Sequence, residues 1–418
     1  EKSRAFSRVS NGAKAEARKL KDIELAEEDR MKTGFSELDR VLGGGIVKGS
    51  LLLLCGDPGI GKSTIFLSLS LYLGSTGKRV LYVSGEESLK QIKLRAERMM
   101  RKEGDVFFLS ETNVENIADT IRELQAEFLV IDSIQTMFLD GIPSSPGSVS
   151  QVRECTAFLL RLAKENGIAV GIVGHVTKDG NVAGPKILEH MVDAVLYFEG
   201  ERNTELRILY GQKNRFGSTN EIAVFSMEEN GMKEIKNSSE YFLSEREEKN
   251  IGSMVVPILE GTKVFLLEVQ SLITDSGIGI PKRVVQGYDR NRIQILTAIA
   301  EKKLYVPLSM KDLFVNVPGG LAIEDPAADL AVLMSILSVH KGFAISQKIA
   351  AIGELGLRGE IRKVFFLERR LKELEKLGFT GVYVPESNRK ELEKKKFKLK
   401  IIYLKNLDEL LERMNKND

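Results

Sequence analysis

A chain of 418 residues is longer than one compact core usually sustains, so two folding units are expected. Its 61 basic and 59 acidic residues leave a net charge of +2, which excludes histone-like bulk basicity; a nucleic-acid partner would have to be held by local positive potential. Two cysteines, Cys55 and Cys155, exclude a disulfide framework and suit a reducing cytoplasm, and no apolar stretch approaches the roughly 20 residues of a membrane span.

Residues 1–30 are polar and rich in Lys, Arg and Glu, and read as an arm or linker with some helix over 13–27. The chain opens on Glu1, without Met or a signal-peptide pattern, so an upstream segment is expected to be missing. From Thr33 short apolar runs alternate with helical stretches. Strands are expected at 51–55, 80–83, 106–109, 128–131, 169–173 and 194–198, and helices at 62–73, 88–101, 114–125 and 150–165. That alternation predicts a mainly parallel sheet covered on both faces. Strands at 205–212 and 222–227 follow closely enough to extend it antiparallel.

A polar stretch, 237–252, separates this first unit (31–236) from a second α/β unit (253–418). There, strands are expected at 255–258, 263–270, 381–384 and 400–404, and helices at 325–339, 365–377, 389–394 and 407–414. Pro257 lacks an amide hydrogen and marks its strand as an edge.

The run Gly56-Asp57-Pro58-Gly59-Ile60-Gly61-Lys62-Ser63 fits G-x-x-x-x-G-K-[ST] at every fixed position, with a strand before it and a helix after it. Glycines let backbone amides turn inward to cradle phosphate, and the helix start adds its dipole. Lys62 would contact the β- and γ-phosphates of ATP. Ser63 would hold Mg²⁺, with Thr64 supporting that end. A second metal-orienting carboxylate is expected at Asp132, which ends the apolar run Phe128-Leu129-Val130-Ile131, with Ser133 beside the metal's water shell. Hydrolysis needs a base for water, and Glu86 in Ser84-Gly85-Glu86-Glu87 is placed for it just past a strand end. Glu87 is the second choice; it suits an acidic helix start better.

Thr33-Gly34-Phe35-Ser36-Glu37-Leu38-Asp39 followed by Leu42-Gly43-Gly44-Gly45 and Gly49-Ser50 resembles the approach to the P-loop in RecA and KaiC-like ATPases. The resemblance implies a catalytic role for Glu86. It also implies a γ-phosphate-sensing position at His175, where most members carry Gln; a structural hydrogen bond is the equal alternative. Lys213-Asn214-Arg215-Phe216-Gly217 resembles the KNRFG motif of bacterial RadA (Sms) DNA repair proteins. By that resemblance Lys213 and Arg215 would reach a neighbouring subunit's nucleotide. Loops at 141–148 and 177–186 resemble those that line the DNA channel in RecA-like filaments, and Lys178, Asn181 and Lys186 would contact phosphates.

The second unit resembles the Lon protease domain through Val315-Asn316-Val317-Pro318-Gly319-Gly320, Asp325-Pro326-Ala327-Ala328-Asp329 and Leu357-Arg358-Gly359-Glu360. Ala327 and Glu368 stand where the family has its Ser–Lys dyad, so no peptidase activity is expected. Lys282, Arg283, Arg290, Arg292, Lys302 and Lys303 cluster near its start, each read singly as part of a solvated charged face. The four-cysteine zinc module usual in the family has no counterpart, so zinc is expected only if an upstream module exists.

The reading is therefore an α/β protein: a RecA-like P-loop ATPase core followed by a Lon-protease-like α/β domain without its dyad. The resemblance implies a hexameric DNA-dependent ATPase of the helicase or branch-migration type. It would use ATP and Mg²⁺, act on single-stranded and branched DNA, and work with RecA recombinase in recombination and repair. The alternative is a nucleotide-switched KaiC-like scaffold acting on protein partners.

Overall fold

The computed structural model describes residues 30–99, 104–175, 186–200, 205–243, 249–277, 280–319 and 321–415. Two large sheets dominate. The first has nine strands, in spatial order Gly231–Glu234, Ile222–Glu228, Leu206–Asn214, Ala194–Glu199, Leu51–Gly56, Ala169–His175, Phe128–Asp132, Val80–Ser84 and Val106–Ser110. From Ala194–Glu199 to Val106–Ser110 the neighbours run parallel, and the three remaining strands join antiparallel.

Both faces of this sheet are buried, which is why its central strands are continuously apolar. Leu52 and Leu54 join one core, while Leu51, Leu53 and Cys55 join the opposite one. Val80 and Tyr82 divide from Leu81 and Val83 in the same way, following the two-residue period of a strand. Cys55 and Cys155 are both buried, and burial pushes each thiol up to about 12, so they act as small apolar residues. The long helix Val149–Asn166 starts on a Ser148 cap, whose side chain accepts from the Gln151 amide, and stops at Gly167, which adopts φ 65°.

The second sheet has seven strands, ordered Arg283–Gln286, Lys311–Asn316, Lys263–Asp275, Ser253–Glu260, Ile349–Ala351, Gly381–Pro385 and Lys400–Leu404. Helix Asp329–Lys341 packs on Ser253–Glu260 and Lys263–Asp275, and is buried along most of its length. Elements that went unread in the sequence include strands Arg283–Gln286, Lys311–Asn316 and Ile349–Ala351, and helix Arg290–Lys303. The stretch read as linker also carries a helix, Ser238–Leu243, packed on Lys263–Asp275. The expected arm ends one residue early, because Arg30 already pairs with Val47. The helix expected over 13–27 lies outside the described residues.

The strand containing Pro257 is interior, not an edge. Pairing with Ile349–Ala351 is confined to Val255 and Ala350. Beyond that point a buried ion pair replaces the strand partner: Arg370 donates to the Pro257 carbonyl (2.6 Å) and pairs with Asp325 (2.6 Å), while Asp325 accepts from the Leu259 amide (3.1 Å). The missing proline amide therefore leaves no ladder partner unsatisfied on that side.

The two sheets share a core. Leu206, Ile222 and Val224 from the first pack into one cluster with Met254, Val256, Leu267 and Leu330. Thr262 donates its amide to the Asn220 carbonyl (2.7 Å), and Lys263 pairs with Glu37 (2.8 Å).

Candidate nucleotide site

The P-loop strand Leu51–Gly56 sits between Ala169–His175 and Ala194–Glu199, near the middle of the sheet. Its last residue lies beside His175, and Asp132 lies beside Ser84. The C-terminal strand ends thus gather the expected residues at one edge, where ligands bind in such folds.

Gly61, at φ 114°, immediately precedes helix Lys62–Ser75, a backbone angle that L side chains avoid. Gly59, at φ 80°, has no atom within 4 Å of where a Cβ would stand, so the loop's mouth is open there. Lys62 Nζ arches back over the loop to the Gly56 carbonyl (2.8 Å) and the Asp57 carbonyl (2.9 Å). Burial lowers its pKa to about 8, against the opposing pull of Asp132 and other nearby acidic groups.

Asp132 is buried. It accepts from the Tyr82 hydroxyl (2.6 Å) and from Ser63, the helix residue expected to face the metal. Burial raises its pKa, and these two hydrogen bonds oppose the rise. Ser63 and Asp132 therefore converge, and their all-oxygen donor set suits Mg²⁺, which takes one or two protein oxygens plus phosphates. Among the described residues no group of three or more His, Cys, Asp or Glu is arranged as a separate metal centre.

Glu86 and Glu87 separate cleanly. Glu87 pairs with Arg95 on the following helix, and its amide is taken by Ser84 Oγ (2.9 Å). Glu86 turns toward the site and accepts from the Ser133 hydroxyl (2.5 Å), just after the cis Asp132–Ser133 peptide. His175 Nε2 stands 3.5 Å from the same Glu86 oxygen. The imidazole, more than the Ser133 hydroxyl, holds this carboxyl at about 2, against partial burial. Neither imidazole nitrogen meets hydrogen-bond geometry with another described residue, nor does Gln135 Oε1. Gln135 Nε2 approaches the His175 carbonyl at 3.5 Å.

Lys213 and Arg215 lie elsewhere. Asn214 pairs with Ala194, which pairs with Leu52, whereas the phosphate loop begins at Gly56 beside Phe198. Four residues of strand, about 13 Å, separate the two levels. Lys213 Nζ caps the Glu189 carbonyl (2.7 Å) and Arg215 pairs with buried Asp193 (3.2 Å), so both face the segment 189–193. Gly217 packs on the glycine-rich loop, with Gly43 Cα 2.8 Å from where its Cβ would be. Arg30 donates to the Phe216 carbonyl (3.2 Å).

Lys186 is exposed on the short helix Lys186–Glu189, and Lys178 and Asn181 lie outside the described residues. The 141–148 loop is pinned by buried Gln151, whose Nε2 donates to the carbonyls of Leu139, Ile142 and Ser144. In the second unit Ala327 is buried, while Glu368 is tied to Lys395 and Lys372. Arg292 and Arg283 are committed to structure: Arg292 pairs with buried Asp329, and Arg283 donates to the carbonyls of Leu308 and Lys311.

Sequence reasoning missed Tyr82, Gln135 and Arg207, the last of which donates to the Ile60 carbonyl inside the P-loop. Tyr82 reads as an ordinary strand aromatic; only the register of Val80–Ser84 against Phe128–Asp132 brings its hydroxyl to Asp132.

This fold and site define an α/β RecA-like P-loop ATPase followed by a Lon-like α/β unit. Residues 14–181 match the AAA domain model, and 292–416 match the Lon protease (S16) C-terminal proteolytic domain. The chain is 50% identical over 369 residues to "DNA repair protein RadA" of Bacillus subtilis (strain 168), spanning 88% of this chain and 81% of that protein. It is 49% identical over 383 residues to the protein of that name from Streptococcus pneumoniae, spanning 91% of each. The chain belongs to the RadA family.

Proposed function

We propose that this chain is a DNA-dependent ATPase that works as a hexameric ring, moving along single-stranded DNA and extending branched recombination intermediates in DNA repair. The observation that carries this reading is the division of the site across the sheet. Lys62, Ser63, Asp132, Glu86 and His175 gather at one edge. Lys213 and Arg215 stand at the opposite edge, too far to reach their own phosphate loop. A cationic pair displaced in this way does not serve its own nucleotide, which supports a role at a neighbour's, where it would stabilise charge on the transferred phosphoryl group. Assembly would have to draw Lys213 and Arg215 off the 189–193 segment.

Within one subunit the roles follow from geometry. The P-loop amides and Lys62 bind and orient the phosphates of ATP. Ser63 and Asp132 would hold Mg²⁺, which neutralises phosphate charge when bound. Glu86, kept ionised by His175 and Ser133, accepts a proton from the attacking water. His175, whose Nε2 stands 3.5 Å from the Glu86 carboxylate, would sense the γ-phosphate from beside that base. Lys178, Asn181 and Lys186 are assigned to the DNA channel.

Two folding units, 31–236 and 253–418, are proposed, with 237–252 connecting them. The Lon-like unit acts as a scaffold and is no peptidase, since Ala327 offers no nucleophile and Glu368 no base of the right charge. RecA recombinase is the proposed partner and the cytoplasm the proposed location.

The test is ATPase rate with and without single-stranded DNA, alongside particle mass with ATP and DNA. Strong stimulation by a six-subunit particle, lost in Lys213→Ala and Arg215→Ala, is expected. A DNA-indifferent rate would point to a nucleotide-switched scaffold, and a monomer under all conditions would sink the ring and the trans roles together.

A further inference from the structure

The antiparallel strands Leu206–Asn214, Ile222–Glu228 and Gly231–Glu234 do more than widen the sheet, because they form a wall against the phosphate loop. Met232 and Met227 end 2.3 and 2.6 Å from where a Gly61 Cβ would stand. On the adjoining parallel strand Ala194–Glu199, the Phe198 carbonyl lies 2.4 Å from the corresponding point at Gly56. Inside this wall Arg207, 7% exposed, sends its Nε to the Ile60 carbonyl at 3.1 Å and its NH1 to the Leu206 carbonyl at 2.7 Å.

The Ile60 carbonyl and the Gly61 amide belong to one planar peptide unit. A cation donating to that carbonyl polarises the unit and makes the Gly61 N–H a stronger donor. The same bond fixes the peptide plane, and so the direction in which the N–H points. Gly61 sits at the helix start of the phosphate cradle. Glycines at 59 and 61 leave this turn little stiffness of its own, so an external brace is what holds it ready for phosphate.

We propose that Arg207 is a positioning residue for nucleotide binding, which orients and polarises the Ile60–Gly61 peptide toward the polyphosphate. This rests on the assignment of the P-loop as the nucleotide site. Arg207 touches no substrate in this arrangement, so its effect should fall on binding and leave the chemical step alone.

The experiment uses the full chain with Arg207→Gln, which keeps a donor and loses the charge, and Arg207→Lys, which keeps the charge and loses the planar fork. Binding of ADP and ATP is measured by titration calorimetry, KM and kcat by steady-state ATPase, and folding by thermal melting without nucleotide. Arg207→Gln is expected to weaken ADP and ATP alike by about tenfold or more, the scale of a lost hydrogen bond to a charged group. KM should rise in step with the lost affinity while kcat stays within about twofold of wild type, and Arg207→Lys should recover part of the loss. Wild-type affinity in Arg207→Gln would overturn the proposal. So would a fall in kcat at unchanged KM. Loss of cooperative melting in both variants would place Arg207 in the core instead and overturn it too. A wild-type chain that binds no ATP would sink the nucleotide site itself, which is a separate failure.

Discussion

Lys62 is buried with its ammonium on two carbonyls, and its pKa of about 8 has a measurable consequence. Phosphates arriving beside it favour the charged form and raise that pKa. Above pH 8 the free protein holds Lys62 partly neutral, so ATP binding must take up a proton, and affinity should fall as pH rises through 8. Calorimetric titrations at pH 8.5 in buffers of different ionisation enthalpy should give different apparent heats; identical heats would refute the assignment. Glu86 behaves in the opposite sense. With its pKa near 2 it stays ionised at any ordinary assay pH, so its titration should leave no acid limb in the rate above about pH 4. Glu86→Gln should lower turnover by about 100-fold or more with ATP affinity retained, and wild-type turnover would remove Glu86 from its role. The P-loop itself was legible residue by residue, because a phosphate cradle is a contiguous backbone device that needs glycine and lysine at fixed spacing. Tyr82 and Ser133 were not legible as partners of Asp132 and Glu86, because their hydrogen bonds cross 50 and 47 positions of sequence.

At the scale of elements, strand register does the deciding. Eight of the nine strands of the first sheet were readable from the sequence, since strands buried on both faces show little alternation, while the short edge strand Gly231–Glu234 was not. In the second unit Arg283–Gln286 escaped notice because a four-residue strand carries too little pattern to stand out from loop. Pro257 misled for a physical reason: a prolyl strand is tolerated in the interior when side chains replace the missing ladder, and here Asp325 and Arg370 do so. A second buried cluster holds helix Arg290–Lys303 to helix Asp329–Lys341. Asp329, fully buried, takes bonds from Tyr288 (2.8 Å), Arg292 Nε (2.9 Å) and the Leu355 amide (2.9 Å). Asp329→Ala leaves the guanidinium without its carboxylate and should cost about 3–5 kcal/mol of stability, read from urea unfolding. A change under 1 kcal/mol would show that the pair is not holding the helices.

For the whole molecule, the shared core couples the two proposed folding units. Leu206, Ile222 and Val224 belong to the ATPase sheet yet pack with the Lon-like unit. Ile222→Ala should therefore destabilise by about 2–5 kcal/mol and shift a single melting transition that covers both sheets. Two transitions, with only the first displaced, would show that the units unfold independently. Composition, the Gly56–Ser63 motif and the strand–helix alternation were enough by themselves to indicate an α/β P-loop ATPase, while the RadA-like and Lon-like readings rested on resemblance through Lys213–Gly217, Val315–Gly320 and Asp325–Asp329. Each is a short-range pattern, in which neighbouring residues meet a local backbone or burial requirement. Only the tertiary structure decided that Lys213 and Arg215 stand a strand's length from their own phosphate loop, that Ser133 and His175 flank Glu86, and that Arg207 braces the Ile60 peptide. Those outcomes depend on which strands lie side by side and in what register, and sheet pairing is settled by packing between residues far apart along the chain.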